Sequence, residues 1–100
     1  MTDTGGAVKE RVQVQKKEPT LYKVVLINDD YTTMEFVVDV LMSVFQKTAS
    51  EAYQIMMSVH VNGRGIAGVY PWEVAETKAD TVVSLARESG FPLQAVTEEA

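Results

Sequence analysis

The feature of this sequence that most limits its fold is the order in which short strand-like and helix-like segments follow one another. Leu21 to Ile27 is a run of β-branched and aromatic residues that predicts a strand, and Asn28-Asp29-Asp30 behind it is a turn signal. Two Thr-x-x-Glu sequences then each precede a stretch of apolar residues at helical spacing, which is the pattern of a capped helix N-terminus. The chain therefore passes from its first strand into two consecutive helices.

Both helices are predicted from their caps and their apolar faces. Thr32 would cap the first helix, with Glu35 reaching back to it, and apolar side chains cover so much of this helix that we expect burial on two sides. One side would face the core, and the other is free to line a ligand pocket. Thr48 and Glu51 repeat the capping pattern for the second helix, which Gly63 ends because glycine is favoured just past a helix C-terminus.

The second half of the domain predicts one further helix between two strands. Ile66 to Tyr70 predicts the second strand, and Thr77 with Asp80 predicts the cap of a third helix that Gly90 ends. The segment between that strand and Thr77 carries no assignment. Leu93 to Thr97 predicts the last strand. The order β-α-α-β-α-β favours an α+β fold in which helices cover one face of a small sheet.

Composition limits the number of domains, the possible chemistry and the cellular compartment. Residues 1–19 lack apolar periodicity and are predicted to be a flexible arm, and residues 20–100 are predicted to form a single domain. The absence of cysteine excludes disulfides and thiol catalysis. No run approaches the roughly 18 apolar residues of a membrane span, and the N-terminus has no apolar signal segment. We therefore expect a cytoplasmic protein that does not bind membranes.

The net charge of −5 bears on the ligand. An acidic body repels phosphate backbones, so nucleic acid is not expected as the partner. The same charge suits a cationic ligand, although many soluble proteins are mildly acidic without binding one.

Four residues carry the candidate chemistry: Asn28, Asp29, Asp30 and His60. An α-ammonium group held away from water needs acceptors and a compensating negative charge, which an amide oxygen, a carboxylate and a neutral imidazole supply. Two structural alternatives stay open. The Asn-Asp segment also suits a turn bonded to its own backbone, and His60 also suits the end of a helix.

Other functions have less support in the residues. Asp29 or Asp30 could form an acid–base pair with His60, but nothing in the sequence positions a nucleophile beside them. A metal at residues 28–30 is a further alternative. No phosphate-binding glycine loop or nucleophile elbow occurs, and a histidine-rich metal site is excluded by the single histidine. We expect no enzyme, no cofactor and no resident metal.

Several blocks occur in an order that is more specific than any one of them. They are NDDYTxMEFV over residues 28–37, MxxVH over residues 56–60 followed by Gly63, GVY over residues 68–70, EVAETK over residues 73–78, and Pro92-Leu93. With these blocks the chain, from about Leu21 to Glu99, closely resembles the ClpS family of proteolytic adaptors.

The resemblance implies a fold and a function. The fold is a three-stranded antiparallel sheet packed against three helices. The function is a non-enzymatic adaptor that binds the free N-terminal Leu, Phe, Tyr or Trp of N-degron proteins. It docks on the N-terminal domain of a ClpA-type AAA+ unfoldase, which feeds the ClpP peptidase. The alternative is an interaction domain like the C-terminal domain of the ribosomal stalk, which shares the fold and has no N-degron pocket.

The resemblance also implies residue roles. The α-amino contacts are Asn28, Asp29 and His60; the side-chain pocket is Thr32, Met34, Val37, Met56, Val59 and Leu93; and the unfoldase-docking residues are Glu73 and Lys78. Met34 resembles the residue that disfavours β-branched first residues. Two departures are Thr33, where the family usually has Pro, and Ala67, where many members have Cys. We place Thr33 at the first helical position, where Pro is favoured but not required. A looser helix start would alter which side chains the pocket accepts.

Overall fold

The computed structural model describes residues 19–100, so the predicted N-terminal arm lies outside the described residues except for its last position. The elements, in chain order, are β1 (Leu21–Ile27), α1 (Met34–Ser43), α2 (Ala49–Asn62), β2 (Arg64–Pro71), α3 (Trp72–Glu88) and β3 (Gln94–Glu99). This is the predicted α+β order, β-α-α-β-α-β, and it is confirmed.

The sheet has the strand order β2-β1-β3, and both pairings are antiparallel. The first strand of the sequence is therefore the central one, which explains why Val24, Val25 and Leu26 are fully buried. Side chains alternate between the two faces of a strand, so Val24 and Leu26 share one face. That face packs against residues of all three helices.

The start of α1 differs from the prediction. Thr33, not Thr32, is the N-cap, and its hydroxyl accepts the backbone N–H of Phe36 at 3.1 Å. The hydroxyl of Thr32 donates instead to the carboxylate of Asp29 at 2.7 Å. Thr33 therefore precedes the first helical position rather than occupying it, and Glu35 is too close to the cap to complete a capping box.

The start and the end of α2 are as predicted. The hydroxyl of Thr48 accepts the N–H of Glu51 at 3.1 Å, and the carboxylate of Glu51 accepts the N–H of Thr48 at 2.9 Å. Gly63 follows the helix at φ 88°, a left-handed conformation in which other residues are strained. The capping box and the glycine therefore determine where the helix begins and where its last turn lies.

The predicted start of α3 at Thr77 is wrong. The helix begins at Trp72, directly after β2 ends at Pro71, and Thr77 lies inside it. The reason is an apolar stripe that begins before the expected cap: Ala75, Ala79, Val82 and Ala86 are all buried. Packing of this stripe on the sheet extends the helix by more than a turn, and the segment left unassigned is its beginning.

The remaining boundaries differ by a few residues. β2 begins two residues before the predicted Ile66 and ends at Pro71, while β3 runs from Gln94 to Glu99 and leaves Leu93 just before it. Within residues 19–100, no helix is long and apolar enough to cross a membrane.

Candidate functional site

A cavity of about 250 Å³ lies where the end of β1, the start of α1 and the last turns of α2 meet. Its lining residues come from these three places in the chain: Asn28, Asp29, Asp30, Thr32, Met34, Val37, Met56, Val59 and His60. We call it the terminal cavity. The fold thus brings together the turn after the first strand and the lone histidine, which are 30 to 32 positions apart in the sequence.

A backbone hydrogen bond holds the two sides of the cavity in place. The N–H of Asn28 donates to the carbonyl oxygen of Gly63 at 2.9 Å, so the turn after β1 is tied to the residue that ends α2. The left-handed conformation of Gly63 directs that carbonyl, and His60 lies in the adjacent last turn of the helix. The predicted glycine stop is therefore also part of what positions the site.

The cavity has an apolar interior and a polar rim. Val37, Met56 and Val59 are buried in the core cluster and present their side chains from α1 and α2. Met34, on the first turn of α1, is 46% exposed and stands at the rim. The interior can accept an apolar side chain, because its walls offer no hydrogen bonds for a polar one.

Asp29 organises the turn at the rim. Its Oδ1 accepts the backbone N–H groups of Tyr31 and Thr32, and its Oδ2 accepts the hydroxyl of Thr32, all at 2.7 Å. The turn alternative for this residue is therefore correct. A carboxylate has about four acceptor positions, so roughly one remains for a ligand.

Asp29 carries its negative charge at neutral pH. Partial burial raises its pKa, but the hydrogen bonds from the backbone and hydroxyl of Thr32, the backbone of Tyr31 and the charge of Arg87 outweigh this effect. The net result is a pKa below the ordinary value of 3.8. The terminal cavity thus has a fixed anion at its rim.

The other polar residues of the rim have unused hydrogen-bonding capacity. Asn28, Asp30 and His60 are exposed, and across residues 19–100 no hydrogen bond to their side chains is formed. The amide oxygen of Asn28, the carboxylate of Asp30 and one imidazole nitrogen of His60 are free to accept hydrogen bonds from a ligand. Asp30 lines the cavity although the resemblance assigned it no role. Its position next to Asp29 in the turn is the sequence feature that could have predicted this.

Leu93 does not line the cavity. It is 1% exposed and belongs to the core cluster beneath the start of β3. In residues 19–100 there is also no cluster of three acidic, histidine or cysteine side chains that would hold a metal ion.

Glu73 and Lys78 lie together on another surface, beside Val74 and Thr77 on α3. Lys78 is packed in place: its Nζ donates to the carbonyl oxygen of Val44 at 2.6 Å and lies 5.3 Å from the ring centre of Tyr70. Glu73 is exposed in the first turn of the helix. Both residues line the same groove on α3, and Lys78 is held there by its hydrogen bond to Val44.

Comparison with known proteins identifies the family. The model of the family described as "ATP-dependent Clp protease adaptor protein ClpS" matches residues 17–96. The chain belongs to the ClpS family. The family expected from the sequence blocks is therefore confirmed.

Curated ClpS relatives are similar over almost the whole chain. The ATP-dependent Clp protease adapter protein ClpS of Wolinella succinogenes is 53% identical over 92 residues, which cover 92% of this chain and 88% of the relative. The protein of the same name from Burkholderia cenocepacia (strain HI2424) is 54% identical over 93 residues, covering 93% of this chain and 89% of the relative. Family membership makes this chain an adaptor of the Clp protease.

A solved ClpS structure has the same fold. It is "The structure of Agrobacterium tumefaciens ClpS2 bound to L-phenylalaninamide", with 43% sequence identity, a TM-score of 0.80, and coverage of 83% of this chain and 100% of that one. The three-stranded antiparallel sheet with three helices is thereby confirmed.

Proposed function

We propose that this ClpS-family protein binds the free N-terminal residue of a substrate protein, when that residue is Leu, Phe, Tyr or Trp, and delivers the substrate to a ClpA-type unfoldase. The observation that carries the proposal is the terminal cavity, which has acceptors and an anion at its rim and apolar walls inside. The ligand of the Agrobacterium relative, L-phenylalaninamide, combines a free α-amino group with an aromatic side chain. Its chemistry matches this cavity.

The rim would hold the α-ammonium group. Its three N–H donors would be met by the amide oxygen of Asn28, an imidazole nitrogen of His60 and the remaining acceptor position of Asp29. The hydrogen bonds that Asp29 already accepts keep it ionised and fixed before the ligand arrives. Its role is then to supply charge in a rigid turn, and the two exposed side chains supply most of the new hydrogen bonds.

The walls would hold the first side chain. Val37, Met56 and Val59 form the interior, and Met34 at the rim would stand near the β-carbon of the bound residue. A side chain branched at that carbon would be crowded by Met34, which favours unbranched Leu and aromatic residues. Leu93, which does not reach the cavity, would act through the core behind it.

Neither part of the site is sufficient alone. Burying a Leu or Phe side chain is worth about 1.5–3 kcal/mol, and each hydrogen bond to a charged group about 1.5–3 kcal/mol. Association costs about 4–15 kcal/mol or more, depending on how it is counted. Binding therefore needs the free amine and the large apolar side chain together, which makes the site selective for an N-terminal residue.

Delivery would use a different face. Glu73 and Lys78 line a groove on α3 that shares no residue with the terminal cavity. Contacts of this face with the N-terminal domain of a ClpA-type unfoldase would leave the cavity open to a substrate. The adaptor would bind both proteins at once and catalyse nothing itself.

Titration calorimetry with short peptides tests the proposal. A peptide that begins with Phe should bind, and acetylation of its N-terminus should weaken binding at least about a hundredfold, because the charge and its hydrogen bonds are lost together. A matched peptide that begins with Gly tests the apolar contribution and should bind poorly. Equal affinities of the free and acetylated Phe peptides would contradict the proposal, as would the absence of binding expected for a stalk-like domain.

A further inference from the structure

A second and larger groove, of about 620 Å³, runs along the outer edge of the sheet. Its main lining residues are Lys23 on β1, Arg64 and Ile66 on β2, and Gln54, Ile55 and Ser58 on α2. We call it the edge groove. It shares no residue with the terminal cavity or with the Glu73–Lys78 surface, so the proposed function leaves it unused.

The backbone of β2 faces this groove. β2 is an outer strand, so one row of its N–H and C=O groups points away from β1. The hydroxyl of Ser58 donates to the carbonyl oxygen of Arg64 at 3.1 Å, which shows that the backbone of Arg64 points outwards to α2. Pairing with β1 continues without a shift from Arg64 to Ile66. In an antiparallel ladder every second residue points the same way, so the N–H and C=O of Ile66 also face the groove.

The side chains around the groove separate by face. Ile66 pairs with Val25 and Arg64 pairs with Ile27, so both lie, with Lys23, on the sheet face opposite the helices. Ile66 is 47% exposed there. On the inner side, the groove is bounded by Ile55 of α2. A strand added here would have one face towards cations and the other towards Ile55, the apolar residue among the polar α2 side chains that line the groove.

The groove has more cationic side chains than there are carboxylates paired with them. Arg64 and Lys23 share one carboxylate, that of Glu98, at 2.6 Å and 4.0 Å. This local excess of positive charge occurs on a chain of net charge −5. It favours acidic side chains in any segment that lies along β2.

We propose that the edge groove binds an extended segment of a partner protein, with alternating acidic and apolar side chains, as an additional strand paired with β2. Addition of a strand to a free sheet edge uses main-chain hydrogen bonds for affinity and alternate side chains for specificity. The acidic side chains lie beside Arg64 and Lys23, and the apolar ones lie against Ile55. The free backbone groups of Ile66 supply the pairing that an ordinary charged surface lacks.

The test uses a probe that the terminal cavity cannot bind. It is a hexapeptide of alternating valine and glutamate, acylated at its N-terminus with carboxyfluorescein and amidated at its C-terminus, so that it offers no α-ammonium group. Saturable binding in fluorescence anisotropy is expected, with shifts of the amide resonances of Arg64 and Ile66 in two-dimensional NMR spectra. The absence of saturable binding, or shifts centred on Asn28 and His60, would overturn the proposal.

Backbone methylation of the probe distinguishes strand addition from charge attraction. A strand has two edges, so methylating the amide nitrogens of alternate residues blocks one edge and leaves the other intact. One of the two methylated peptides should lose binding, and the other should retain it. Equal binding of both would show that charge alone holds the peptide and would overturn the proposal.

Variants of the chain give the matched controls. Arg64→Ala should weaken binding at least about tenfold, because a charge-assisted contact is lost. Lys47→Ala removes a cation outside the groove and should leave binding unchanged. The side chain of Arg64 is 49% exposed, so its removal should leave the melting temperature nearly unchanged. Equal weakening by both variants would contradict the assignment.

The same experiments distinguish two other occupants of the edge groove. Concentration-dependent dimerisation that shifts the Ile66 amide and is lost in Arg64→Ala would assign the groove to a second copy of this chain. Shifts of Ile66 with a ten-residue peptide that begins with Phe, but not with its two-residue version, would assign it to the substrate. Either result would replace the partner segment proposed above.

Discussion

The carboxylate of Asp29 is bonded twice to Thr32, whose backbone N–H donates to Oδ1 and whose hydroxyl donates to Oδ2, each at 2.7 Å. The aspartate is thus first a structural group, which closes the turn between β1 and α1. It is also the ionised group at the rim of the terminal cavity. The stability of the turn and the binding of an amine are therefore expected to change together.

Thr32→Val tests this link. The substitution keeps the size of the side chain and removes the hydroxyl that donates to Asp29. We expect the free energy of unfolding to fall by about 1 kcal/mol and the affinity for a peptide that begins with Phe to fall about tenfold. Urea unfolding and calorimetry measure the two effects. The matched control is Thr81→Val, since the hydroxyl of Thr81 also donates a hydrogen bond, to the carbonyl oxygen of Thr77 on the exposed side of α3. It should leave peptide affinity unchanged, and an equal loss there would contradict the link.

Acid should remove the contribution of Asp29 to stability. The pKa of Asp29 is lower in the folded protein than its ordinary value of 3.8, so the folded state holds the proton less tightly than the unfolded state does. The stabilisation is therefore complete above that ordinary value and is lost as the pH falls through the lower, folded-state pKa. Urea midpoints of the natural chain and of Asp29→Asn, measured from pH 6 down to pH 2, should converge at the acidic end. A constant difference over this range would show that the ionised carboxylate does not contribute in this way.

The sequence predicted the parts of the site that depend on local chemistry. The capping box of Thr48 and Glu51 and the glycine at position 63 are local signals, and they locate both ends of α2. The last turn of that helix carries His60. The histidine therefore lies near the turn after β1 once the helix packs beside the strand. The pocket roles assigned to the cavity residues remain a proposal.

The starts of α1 and α3 were predicted wrongly because tertiary contacts determine them. Two consecutive threonines precede α1, and their spacing to Glu35 favours Thr32 as the cap. Thr32 is instead bonded to Asp29, which only the folded turn brings close, and Thr33 becomes the cap. The start of α3 was missed because the buried stripe from Ala75 makes a helix out of residues that carry no local cap. Sequence spacing cannot rank such contacts against local signals.

His60→Ala separates a binding residue from a core residue. The side chain of His60 is exposed, so its removal should change the free energy of unfolding by less than about 0.5 kcal/mol. Affinity for a Phe-initiated peptide should fall at least about tenfold, because one acceptor for the α-ammonium group is lost. The adjacent Val59 is 2% exposed, and Val59→Ala should cost about 2 kcal/mol of stability. If His60→Ala unfolded the domain, its role would be structural and the amine contact would be refuted.

Delivery should be separable from binding at the face of α3. Glu73→Ala should leave stability and peptide affinity unchanged and should slow degradation of a Phe-initiated reporter by purified ClpA and ClpP. Lys78→Ala should slow it too, and should also destabilise the domain by about 1 kcal/mol, because the bond to the carbonyl oxygen of Val44 is lost. Glu73 is therefore the cleaner probe of docking. Unchanged degradation with Glu73→Ala would remove this residue from the proposed docking face.

The N-cap of α1 should influence which first residues are accepted. The hydroxyl of Thr33 caps the helix, so Thr33→Ala should cost about 1 kcal/mol of stability. In Thr33→Pro the same cap is lost, but the backbone of Thr33 at φ −75° suits proline, which recovers about 0.4–1 kcal/mol by restricting the unfolded chain. Stability should then be close to that of the natural chain. The proline ring would also fix φ at residue 33 in the folded chain, and because Met34 follows directly, it should be held closer to the bound residue. Calorimetry with peptides that begin with Leu, Phe and Ile should show stronger discrimination against Ile in Thr33→Pro. An unchanged ranking of the three peptides would mean that the position of Met34 does not depend on residue 33.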